Sequence, residues 1–162
     1  MKVITSVAFI LLSTLIMDLS RAYAASGIEL TMAAQEEIIT LNDHGEQVVS
    51  LVEPTAVVPG DMIVYITKYH NTGNSTAENV VITTPIPKDT AYVGGSAVRE
   101  QTTVTYSVDG GKHYDSPENL AIIGEDGIKH PATANDFTHI RWTLKSVAQD
   151  GQGSVSFHAK VR

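Results

Sequence analysis

Two segments near the end of the chain decide the fold class: Phe137–Val147, FTHIRWTLKSV, and Ser154–Val161, SVSFHAKV. In the first, Ile140, Trp142 and Leu144 alternate with His139, Arg141 and Thr143. In the second, Val155, Phe157, Ala159 and Val161 alternate with Ser156, His158 and Lys160. A period of two gives each strand one buried and one wet face. The short link Ala148–Gly151 predicts a hairpin, with Val147 opposite Gln152, Trp142 opposite Phe157 and Arg141 opposite His158. A slip of one residue would reverse inside and outside, so the parity is more firmly fixed than the register.

The same chemistry extends towards the N-terminus. Segments rich in Val, Ile, Thr and Tyr are separated by Gly, Pro, Asn and Asp. They are Ile28–Thr40, Gln47–Val52, Met62–His70, Asn79–Thr84, Ala91–Val98, Thr102–Val108 and Leu120–Ile123. So many short strands with short turns predict an antiparallel sandwich. Met32–Ile39, MAAQEEII, has helical propensity as well, but the hairpin-like LNDHGEQVV that follows favours strands. In YSVDGGKHY, Asp109-Gly110-Gly111 supplies residues that tolerate positive φ at a hairpin tip. The string Ser107-x-Asp109-x-Gly111-x-x-Tyr114 resembles one Asp-box. A single copy reads as a structural turn.

Residues 1–24 read as a cleavable export signal. Lys2 precedes the apolar Val3–Met17, too short for an ordinary membrane-spanning helix, and Ala22-Tyr23-Ala24 gives the small-x-small cleavage pattern. Removing the first 24 of 162 residues leaves 138, one domain's worth. Lys2, Arg21 and Asp18 leave with the signal, so the net charge passes from −7 to −8. That charge disfavours nucleic acid and anionic membrane as partners. The chain has no cysteine, which excludes thiol catalysis, disulfides and Cys-ligated zinc. The expected location is extracytoplasmic, periplasmic or extracellular, with no membrane attachment after cleavage.

Several features then fall in one order: VVPGDMIVY (Val57–Tyr65), HNTGNSTAENVVIT (His70–Thr83), PIPKDTAYVGGSA (Pro85–Ala97), IRWTL (Ile140–Leu144) and GSVSFHAKV (Gly153–Val161). This resembles the secreted bacterial conserved-repeat β-sandwich, the domain of unknown function eleven, in a single copy over Val57–Arg162. The chain departs from that pattern at Thr84, where an acidic residue is common. The resemblance implies an immunoglobulin-like fold and an extracytoplasmic setting, and no catalytic residues. The expected fold is therefore all-β: an immunoglobulin-like antiparallel β-sandwich at 56–162, with an N-terminal β-hairpin-like extension at 25–55. Asn71-Thr72-Gly73 reads as a strand-ending corner, with Asn71 bonding backbone around the turn.

Alignment on that pattern turns Ile63, Tyr65, Thr67, Tyr69, Asn71, Val80 and Ile82 inward. Met62, Val64, Ile66 and Val81 then face outward, where a wet face should not carry apolar residues in a row. These four are the candidate interface residues. Their cover is either the chain's own Ile28–Val52, folded back, or the same segment of a neighbour, by strand addition. The expected partner is a protein, including a second copy of this chain, through an edge strand or the outer apolar face.

Other chemistry finds little support. The six histidines form no HxxxH, HxH or HExxH arrangement. His139 and His158, beside Arg141 and Lys160, would make a small basic patch if the two strands pair. Acidic turns at Asp43/Glu46, Asp109, Glu125/Asp126 and Asp136 lack the dense oxygen spacing that calcium requires. No G-x-S-x-G elbow or phosphate loop is present. The sequence thus predicts a non-catalytic structural or interaction protein without metal or cofactor. A monomeric glycan- or protein-binding module is the alternative.

Overall fold

The computed structural model describes residues 27–97, 99 and 101–162. The expected export signal and its cleavage point lie outside these residues, as does Val98. The described residues form ten strands: β1 (Ile28–Leu41), β2 (Gln47–Val52), β3 (Met62–Asn71), β4 (Ala77–Pro85), β5 (Thr90–Tyr92), β6 (Thr102–Ser107), β7 (Ala121–Ile123), β8 (Lys129–Pro131), β9 (His139–Val147) and β10 (Gln152–Val161). They form a five-stranded sheet in the order β2-β1-β3-β10-β5, a three-stranded sheet β4-β9-β6, and a small β7-β8 ribbon. Every pairing is antiparallel. The chain is an all-β sandwich.

The expected hairpin of the last two strands is not formed. β9 lies between β4 and β6, and β10 between β3 and β5, so the link 148–151 crosses from one sheet to the other. The alternation was sound, but parity fixes only which face is buried, not which sheet a strand joins. Trp142 and Phe157 meet across the core with their rings tilted by 30° and their centroids 6.3 Å apart. Both side chains are essentially fully buried. It follows that Arg141 and His158 point away from the core on opposite faces of the sandwich, and the expected basic patch does not exist.

Asn71 secures this crossing. Its Nδ2 donates to the carbonyls of Ser75 (2.8 Å), Val147 (2.9 Å) and Ala148 (3.0 Å). Its Oδ1 accepts from the Gly73 N–H at 3.0 Å. One buried amide therefore ties the end of β3 to the next turn and to the β9–β10 crossing. Thr67 and Thr84 bridge the two sheets at 3.2 Å. A buried hydroxyl without such a partner would cost about 1–3 kcal/mol. Thr84 is thus a core hydroxyl, 1% exposed. At the other end of the core, Tyr92 and Tyr106 hydroxyls lie 3.0 Å apart, and Tyr106 stacks on Phe137 at 4.5 Å.

Two expectations need adjusting. The Ala91–Val98 run shortens to β5, followed by a turn at 94–97. The ribbon strand β8, KHP, escaped notice because it is short, exposed and ends in proline. Met32–Ile39 is strand throughout. Among the described residues, no helix is long and apolar enough to cross a membrane.

Candidate functional site

The four candidate interface residues do not come together. Met62, Val64 and Ile66 belong to β3, while Val81 is on the outer face of β4 in the other sheet. Met62 and Ile66 are half-buried and Val81 is 53% exposed. Val64 is only 4% exposed and offers no surface, which corrects its place in the set. Its cover is local: β1 and β10 flank β3, and Glu37 Oε2 meets His158 Nε2 at 3.3 Å. Glu37 is opposite Met62 and His158 opposite Val64, so this pair spans the row above β3.

Residues 28–52 form a hairpin in the plane of the larger sheet, beside β3 rather than over its face. β1 pairs with β3 along Ile28–Glu37 and with β2 along Glu36–Leu41. The overlap is short because β1 outruns the sandwich, so its second half and β2 form a projecting two-stranded wing. Among the described residues, most of the exposed large apolar side chains collect on this hairpin. Leu30, Met32 and Val48 lie on one face, and Ile39, Leu41, Val49 and Leu51 on the other, each 40–69% exposed. Val57 and Val58 follow in the connection to β3. Such a concentration is unusual, since isolated exposed apolar residues are ordinary but clusters of them are not.

Sequence reasoning identified the segment but not these side chains. Their signal was a lapse in alternation: apolar residues change parity between Met32 and Ile39, and Val48-Val49 are adjacent. A strand with apolar residues of both parities has no dry face of its own.

The acidic turns at Asp109, Asp126 and Asp136 are closed by hydrogen bonds from their own backbone. Asp109 Oδ1 accepts from the N–H groups of Lys112 and His113, both at 3.0 Å, and from Ser107 Oγ at 2.8 Å. Hydrogen bonds from His113 backbone and side chain, then Ser107, hold its carboxyl far below the usual carboxylate range. Gly111 suits this turn because its φ of +84° strains any other L-residue, and a Cβ there would also stand 2.9 Å from the Tyr114 hydroxyl. Arg141 stacks on Tyr114 with its guanidinium carbon 3.5 Å from the ring centroid. Asp136 caps Thr133 N at 2.8 Å, and Asp126 accepts from Ile128 N at 2.9 Å. No group of three His, Asp or Glu among the described residues is arranged to hold a metal ion.

No family model matches the chain, and no curated protein or solved structure is significantly similar to it.

Proposed function

We propose that this protein is an exported, non-catalytic building block of the cell surface, extracellular matrix or periplasm that associates through the β1–β2 hairpin. The observation that carries this reading is the apolar surface on both faces of a hairpin whose outer edges are open. A soluble monomer gains nothing from exposing Leu30, Met32, Ile39, Leu41, Val49 and Leu51 together. The export reading rests on the N-terminal pattern and on the resemblance to the conserved-repeat sandwich, which also supports an immunoglobulin-like arrangement. The acidic charge suits an extracytoplasmic protein that avoids anionic membrane.

Expression in an exporting bacterial host tests both parts. The reading predicts a processed N-terminus near Ala25 and assemblies in light scattering coupled to size-exclusion chromatography. Retention in the cytoplasm would refute the location, and a monomer at all concentrations would refute association.

A further inference from the structure

Among the described residues, β1 is paired on one side only along Ile28–Gln35, because β2 begins its pairing at Glu36. The hydrogen-bonding parity of this open edge follows from its ends. Gly27 O accepts from Thr72 N at 2.6 Å, at a position continuous with the β1–β3 register. Asn42 N donates to Glu46 O at 2.9 Å, continuous with the β1–β2 register. Antiparallel strands alternate the direction of successive N–H and C=O pairs. Odd-numbered residues of β1 therefore bond to β3. Ile28, Leu30, Met32 and Ala34 aim their N–H and C=O groups at the open edge.

We infer that this edge pairs with the same edge of a second copy, antiparallel about a two-fold axis at Thr31. In that register Ile28 meets Ala34 and Leu30 meets Met32, and all four free backbone pairs are satisfied in each chain. The apolar residues meet on the same face. Glu29, the one charge in the segment, falls opposite Ala33 rather than another carboxylate. The pairing stops before Glu36, so β2 keeps its own partner. A self-complementary strand gives a closed, isologous dimer rather than a fibre.

Two of the other edges, β5 and β4, are blunted in ways this one is not. β5 spans only Thr90–Tyr92, and β4 carries Pro85 and the positive-φ Asn79. Ile28–Gln35 has no Lys and no Pro, and its register with β3 is unbroken. Edges left in this state are templates for pairing.

This inference rests on the self-association reading above and specifies its geometry. The test uses the processed full chain, whose lack of cysteine makes single-cysteine variants specific. In the inferred register, Thr31 faces its own copy as a non-hydrogen-bonded pair, with Cα atoms about 4.5 Å apart. That separation lies within the span of about 4.4–6.8 Å that a disulfide accepts. Thr31→Cys is expected to give a disulfide-linked dimer under mild oxidation. Thr40→Cys, at an exposed position already opposite Val48 in β2, is expected to remain largely uncrosslinked. Met32→Pro removes an N–H aimed at the open edge and leaves the β3 ladder intact. It should halve the mass seen in light scattering while retaining the circular dichroism of the wild type. Wild-type assemblies with no Thr31→Cys crosslink, or equal crosslinking at Thr40→Cys, overturn the Thr31 register while leaving association itself standing. A wild-type monomer overturns both.

Discussion

The β9–β10 crossing and the β1–β2 hairpin treat the same kinds of residue in opposite ways. At the crossing, a buried asparagine has acceptors for its amide hydrogens and a donor for its oxygen, and Trp142 and Phe157 close the core. At the hairpin, long apolar side chains stand in solvent and a row of backbone groups has no partner strand. The first region is complete within one chain, whereas the second is left, among the described residues, with the open backbone edge that the proposed association would pair. The difference separates what stabilises the fold from what the fold presents.

Substitutions should divide along the same line. Phe157→Ala is expected to cost about 3–5 kcal/mol, read as a fall in the urea midpoint. Asn71→Ala should cost about 2–3 kcal/mol, because the carbonyls of Val147 and Ala148 lose their donor near the core. Thr67→Val alone should cost about 1–2 kcal/mol by leaving Thr84 unpartnered, while the Thr67→Val/Thr84→Val pair should recover most of that loss in a double-mutant cycle. On the hairpin, Ile39→Ser with Val49→Ser removes an exposed cross-strand pair. It should move chemical stability by less than about 1 kcal/mol, as is usual for surface positions, while weakening the binding of a hydrophobic dye. A stability loss on the hairpin as large as that at Phe157 would break the distinction.

Acid adds a smaller effect. The Asp109 carboxyl is lowered in the folded protein by hydrogen bonds from His113, Ser107 and Lys112. Its stabilisation is therefore present above the unfolded carboxylate value of 3.8 and is lost as pH falls below that value towards the folded one. Asp109→Asn should flatten the decline of stability with acid over that window. Burial lowers the pKa of His139, the larger influence, against a raising effect of Asp109. Its contribution is complete above 6.5 and declines as pH falls through the folded value, so His139→Gln should reduce the loss on mild acidification. Both slopes are measured by urea titration at successive pH values.

The fold class was legible because period-two alternation survives wherever one face is buried, as in IRWTL and SVSFHAKV. The corner role of Asn71 was legible too, since a short amide after a strand has few other uses. The sheet assignment of β9 and β10 was hidden, because four linking residues can turn a hairpin or cross a sandwich, and the choice depends on distant partners such as Asn71. Val64 misled for a related reason: its parity is outward, but a long carboxylate and an imidazole from flanking strands meet above it. The exposed hairpin residues were visible only as a failure of alternation, which states that a strand lacks a simple dry face without stating what it meets.

Hydrogen exchange at single amides of the protein from residue 25 onward tests the central claim most directly. The Thr31 and Ala33 amides, bonded to β3, should exchange slowly at every concentration. The Leu30, Met32 and Ala34 amides, aimed at the open edge, should exchange quickly in dilute protein and become protected as concentration rises. Rapid exchange of Leu30, Met32 and Ala34 at all concentrations would contradict the account.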